Sequence, residues 1–231
     1  MFFTALGYLT GGVVFFFAAR EKKLATEGIG RIVAVAFLGG VIGAKLTEWI
    51  FMGWPFKMSP ALILDPNRGG KSLLGGLLIG WLCAEIAKRR MGIKRPTGDL
   101  FALALPAGEA VARIGCYFNG CCFGAETTSS IAIYQHGAWR YPSQIVSSLV
   151  AASMFAVLFA VRKGLPREGD LFKLYLAMFG FTRFGLEFIR ERESLIWSLS
   201  PMQWFCIELF VAGTIGLILS YRKRPKLVEA S

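Results

Sequence analysis

Histidine is almost missing from this chain: His136 is the only one among 231 residues. With no partner histidine and no Cys-x-x-Cys among the five cysteines, the ligand sets that build zinc sites are absent and no metal is expected. His136 falls in a polar loop, where a lone histidine is expected to be incidental to any chemistry. Charge is scarce as well, at 18% of residues against 55% hydrophobic, which excludes an ordinary soluble domain. Thioredoxin-like strand alternation is lacking, which leaves a redox enzyme unsupported, and no internal repeat points to an inverted-repeat transporter. Nothing calls for a cofactor. No basic stretch precedes the first apolar segment and no small-residue cleavage site follows it, so that segment is expected to be retained.

Acidic residues are the minority, 15 against 26 basic ones for a formal charge of +11. Nucleic acid is nevertheless not the expected partner, because the cations lie in short runs between apolar stretches. About 20 apolar residues cross a bilayer, and seven segments qualify as candidates: Phe2 to Ala19, Ile32 to Phe51, Leu73 to Ala87, Leu100 to Phe118, Gln144 to Val161, Leu171 to Ile189 and Met202 to Tyr221. The expected fold is all-α, a polytopic single membrane domain over 1–231. The proline-bearing 53–71 reads as an outer loop or surface arm, 119–141 as an outer loop and 222–231 as a basic cytoplasmic tail. Gly75-Gly76 opens the third and shortest span, which reads as starting in a loop that dips into the membrane.

Alternate connections are the basic ones. Arg20, Lys22, Lys23 and Arg31 follow the first span, Lys88, Arg89, Arg90, Lys94 and Arg95 the third, Arg162, Lys163, Arg167 and Lys173 the fifth, and the tail adds Arg222, Lys223, Arg224 and Lys226. The other connections are poorer in cations, so the N-terminus is expected outside and the C-terminus in the cytoplasm.

Three cations fall inside spans instead of between them. At about 1.5 Å of rise per residue, Lys45 and Arg113 lie about 20 Å and Arg183 about 18 Å along their helices from the cytoplasmic side, in a core about 30 Å thick. All three thus share the outer half. Glu109 stands four residues before Arg113, Glu187 four after Arg183 and three before Arg190, and Glu48 three after Lys45, so each set can occupy one helix face. Intramembrane charges at a common depth point to function more than to packing. Asp99 reads as a cap for the fourth span, and Glu85 as an acid snorkelling toward Lys88 and Arg89. Cys83 and Cys206 read as packing residues. Cys116, Cys121 and Cys122 crowd the outer end of span four, where an oxidising exterior would let Cys116 pair with Cys121 or Cys122.

Four stretches carry a resemblance to the bacterial prolipoprotein diacylglyceryl transferases. Arg113-Ile114-Gly115 through Asn119-Gly120 is similar to the family signature, Ser72-Leu73-Leu74-Gly75-Gly76 to its serine and double-glycine segment, Tyr141-Pro142-Ser143-Gln144 to its His-Pro-Ser-Gln, and Arg183 through Arg190 to its second arginine region. The chain departs from the family pattern at four positions. Leu74 and Tyr141 replace histidines, Cys116 replaces the first asparagine of the signature, and Cys121 replaces the acid that follows Asn-Gly.

The resemblance implies a seven-helix enzyme of the bacterial cytoplasmic membrane with its site toward the outer leaflet. It implies transfer of diacylglyceryl from phosphatidylglycerol to the cysteine thiol of a lipobox-bearing preprotein, with release of glycerol phosphate. Arg113 and Arg183 would then bind the phosphate and stabilise the leaving group, and Glu109, Glu187 or Tyr117 would be candidates for the base. Lys45, Ser72, Gly75, Gly76, Cys116, Tyr117, Asn119, Gly120, Tyr141, Ser143, Gln144 and Arg190 would line the substrate site. A transferase with another acceptor, or a non-catalytic anionic-lipid carrier or scaffold, is the alternative.

Overall fold

A computed structural model describes residues 2–23, 27–51, 73–93, 96–190 and 197–222. The arm at 53–71, Ser72 and the tail beyond Arg222 lie outside the described residues, as do the side chains of Glu48 and Leu74. The described residues form helices α1 (Phe2–Glu21), α2 (Glu27–Phe51), α3 (Leu73–Arg90), α4 (Gly98–Phe118), α5 (Ser143–Val161), α6 (Asp170–Leu186) and α7 (Pro201–Arg222). Strands β1 (Ile133–Gln135) and β2 (Ala138–Arg140) lie between α4 and α5. Five of the helices are long and apolar enough to cross a membrane. The other two, α3 and α6, fall short for local reasons: α3 ends in Lys88, Arg89 and Arg90, and α6 tightens into a 3-10 turn over Glu187–Ile189. The fold is a polytopic all-α membrane fold.

Two compact units make up the chain. In the first, within 22–95, α2 packs on α3 through backbone in near contact. A Cβ on Gly43 would strike the Gly75 carbonyl, one on Gly75 would strike Thr47, and one on Gly80 would come within 3.0 Å of the Ala36 carbonyl. Small residues permit this approach where lipid supplies no hydrophobic drive toward association. Gly75 and Gly76 are therefore helical, and the dipping loop expected at the start of the third span is not formed. Close packing against Gly43, Gly40 and Ala44 gives both glycines a helical task.

The second unit comprises α1 and everything from Pro96 onward. Here α4 and α6 are the inner helices: α1 and α5 pack on α4, α5 also meets α6, and α7 packs along α6. Glycines again mark the crossings, with Gly7 against Gly108 and Gly213 against Ala177. Leu100, Leu103, Leu158, Leu171, Tyr175 and Phe179 are buried between the helices, while Phe2, Leu9, Phe17, Leu149 and Phe181 are exposed. Outward apolar side chains of this size would cause aggregation in water, and they are the ordinary outer surface of a bundle in lipid. Asp99 does not cap its own helix. Its carboxylate accepts from the backbone N–H groups of Gly169 (2.9 Å) and Phe172 (3.1 Å), so it caps the start of α6.

Candidate active site

The signature residues are set by how α4 ends. Gly120 takes a left-handed φ of 61°, its N–H donates to the Tyr117 carbonyl at 3.1 Å, and the Cys121 N–H donates to the Cys116 carbonyl at 3.1 Å. This is a Schellman stop, which satisfies the last carbonyls and needs a residue without Cβ strain at Gly120. Asn119 is thereby placed at the cap, exposed.

The connection that follows is not a plain loop. Strands β1 and β2 pair antiparallel with Gln135 opposite Ala138, joined by His136 and Gly137 at φ 52° and 78°. Two consecutive positive φ values make the type I′ turn that suits the twist of a hairpin. His136 also has a structural place, with Nε2 at the Gly120 carbonyl and its ring against Phe123. Arg140, the last residue of β2, is buried: it donates to Glu126 Oε1 at 3.0 Å and to the Gly124 carbonyl at 3.3 Å, and lies over the Phe123 ring.

Two further ties close the connection onto the bundle. The Ser143 hydroxyl donates to the Cys122 carbonyl at 2.8 Å, and Gln144 Nε2 donates to the Cys121 carbonyl at 3.0 Å and to Gln135 Oε1 at 3.1 Å. Gly124 forms a bridge with Arg190, and Ala125 N–H donates to the Ile189 carbonyl at 3.0 Å. The Tyr141–Gln144 segment and the Arg183–Arg190 segment therefore meet the signature through one strip of backbone.

Both arginines face the acids that their spacing predicts. Arg113 donates through Nε (3.1 Å) and Nη2 (3.0 Å) to Glu109 Oε1. Arg183 Nη2 lies 3.1 Å from Glu187 Oε2, and the other carboxylate oxygen accepts from the Ser200 hydroxyl at 3.4 Å. The two pairs differ in how fully they are satisfied. Arg183 is 6% exposed, and its Nε and Nη1 have no hydrogen-bond partner among the described residues. An unmet buried donor costs about 1–3 kcal/mol, more when charged, so the guanidinium is primed to receive an acceptor. The charges of Arg190, Arg113 and Glu109 all act on Arg183, which places these four groups in one neighbourhood.

No disulfide joins Cys116, Cys121 and Cys122, so the pairing expected of Cys116 with Cys121 or Cys122 is not formed, and their sulfurs all lie within 4.8 Å of one another. The Cys122 thiol, exposed and outside the helices, is pulled down to about 5 by the hydrogen bond from Cys116, with the charges of Arg190 and Arg113 adding to the effect. Its backbone is left-handed at φ 57°.

Sequence reasoning brings together Arg113, Glu109, Arg183, Glu187, Arg190, Ser143 and Gln144, and all lie in the second unit with Tyr117, Asn119, Gly120, Tyr141 and Cys116. Lys45, Gly75 and Gly76 belong to the α2–α3 unit, where Lys45 Nζ lies 5.8 Å from the Trp49 ring centre. Arg140 and Ser200 are missed. Arg140 reads in the sequence as one more loop cation, and only the hairpin surrounds it with Phe123, Gly124 and Glu126. Crowding of the three cysteines at the end of α4 is expected from the sequence, whereas their remaining unbridged is not.

Comparison with known proteins agrees with the motifs. A family model described as prolipoprotein diacylglyceryl transferase matches residues 2–219. The chain is 31% identical over 212 residues to the phosphatidylglycerol–prolipoprotein diacylglyceryl transferase of Chlorobaculum tepidum, covering 82% of this chain and 73% of that one. It is 33% identical over 187 residues to the Polynucleobacter asymbioticus protein of the same name, covering 76% and 71%. A Clostridium perfringens relative, phosphatidylglycerol–prolipoprotein diacylglyceryl transferase 2, is 25% identical over 225 residues, covering 93% and 87%.

Proposed function

The chain belongs to the prolipoprotein diacylglyceryl transferase family, and we propose that it moves diacylglyceryl from phosphatidylglycerol to the cysteine thiol of a lipobox-bearing preprotein. It acts as a single multi-pass domain of the bacterial inner membrane, with its site at the outer leaflet where the alternating basic connections put the end of α4. The observation that carries the reading is Arg183, a buried guanidinium with two donor nitrogens unmet among the described residues, within electrostatic reach of Arg113 and Arg190.

In the reaction, the acceptor sulfur attacks a glyceryl carbon, the carbon–oxygen bond to phosphate breaks, and glycerol phosphate leaves with the electron pair. Charge therefore grows on a phosphate oxygen, and fixed cations in a water-poor site stabilise that growth more than they stabilise the bound lipid. Arg183 is oriented for this by Glu187, whose other oxygen is held by Ser200. Arg113 presents a second planar fork suited to phosphate. The thiol proton passes to Glu109, which meets Arg113 through one carboxylate oxygen and is 26% exposed. Ser143, Gln144 and Asn119 border the head-group region, and Tyr117, Tyr141 and Gly120 line it.

The test is to incubate purified protein with labelled phosphatidylglycerol, with and without a lipobox peptide, and to follow products by mass spectrometry. Lipidated peptide with released glycerol phosphate is expected. Release with only a different acceptor, or tight lipid binding without release, would overturn the assignment of this acceptor or of the enzyme itself. Arg113→Ala and Arg183→Ala are each expected to lower turnover by about 10²–10³-fold or more while the protein still inserts. Near-normal product from either variant would sink the paired-arginine mechanism.

A further inference from the structure

None of the three thiols makes or breaks a bond in the proposed transfer, yet together they are the densest group of soft ligands in the described residues. The Schellman stop at Gly120 folds Cys121 and Cys122 back toward Cys116, the Ser143 and Gln144 side chains pin the carbonyls of Cys122 and Cys121, and the result is three sulfurs all within 4.8 Å of one another. Metal–sulfur bonds of about 2.3 Å put sulfurs about 4 Å apart around one ion. A disulfide would need one pair to close to about 2 Å and would leave the third sulfur unused.

We propose that Cys116, Cys121 and Cys122 form a three-sulfur binding site for a soft, thiophilic cation of the copper(I) class at the C-terminal end of α4. Ligand softness selects the ion. Three sulfurs, with no histidine or carboxylate in the cluster, suit copper(I), whereas structural zinc sites close with a fourth protein ligand. Access is open, since Cys121 and Cys122 are exposed. Charge also fits: binding releases the thiol protons to water, and the anionic metal–thiolate group that remains is offset by Arg113 and Arg190, both of which act on Cys122. The main-chain pins hold the ligands in place before the ion arrives, which lowers the ordering cost of binding.

The experiment uses the reduced full-length protein in detergent, titrated with copper(I) against a chromophoric chelator. Wild type is expected to take up one ion per chain. Each of Cys116→Ser, Cys121→Ser and Cys122→Ser is expected to weaken uptake by more than the about 10–100-fold typical of an outer-shell change. Uptake unaffected by any of these changes, or none in wild type, would overturn the site. A second measurement needs no variant: copper loading should protect Cys116, Cys121 and Cys122 from maleimide while Cys83 reacts as before, as read by peptide mass spectrometry. Equal labelling of the three with and without copper would refute the proposal. No lipid enters either assay, so their outcome is independent of the transferase reading.

Discussion

At the scale of single residues, Arg183 and Arg113 illustrate how two similar pairs come to have different chemical potential. Each arginine meets a glutamate one helical turn away, a spacing readable directly from the sequence. What the spacing does not carry is the degree of satisfaction. Arg113 uses two nitrogens on one glutamate oxygen, whereas Arg183 keeps Nε and Nη1 unmet at 6% exposure. Such a group loses more from a change of shape than from a change of charge. Arg183→Lys, which retains the charge but not the fork, is expected to be nearly as inactive as Arg183→Ala in the peptide-lipidation assay. Recovery of most of the activity by lysine would mean that a point charge is enough.

Among the elements, the helices were legible and their joints were not. All seven apolar segments became helices within a few residues of their expected ends, because membrane spans are dictated by hydropathy and by the need to pair every backbone group. Asp99 reads in the sequence as a cap for its own helix, whereas in the fold its carboxylate caps α6, a choice made by a neighbour 70 residues along the chain. Asp99→Ala should therefore destabilise the start of α6 by about 0.5–2 kcal/mol, measurable as a lower melting temperature in detergent. An unchanged melting temperature would show that the two backbone bonds contribute nothing net. The hairpin was hidden for a related reason: its strands are three residues each, too short for an alternation to stand out, and its turn uses His136 where asparagine is usual. Arg140 became interpretable only with that hairpin in place.

For the molecule as a whole, composition gave the membrane class and the charge asymmetry gave an orientation. Convergence of the three motif regions of the second unit onto one strip of backbone was beyond the sequence, since contacts such as Gly124 with Arg190 join residues far apart in the chain. The orientation has a direct check, because Cys121 and Cys122 are exposed natural reporters. A membrane-impermeant maleimide applied to intact, mildly reduced cells is expected to label both. Labelling only after the membrane is opened would reverse the assigned topology and move the site to the cytoplasmic face.

Gly124 sits where the connection crosses the start of α5 and the end of the 3-10 turn. A methyl there would come within 2.8 Å of the Ile189 carbonyl and would collide with Tyr141. One missing side chain thus acts as the mortise in which three separate stretches of chain interlock. Filling it would push the Tyr141 and Ile189 stretches off the connection in a single movement, so damage at a position bearing no reactive group would be transmitted to both flanks of the chemistry at once.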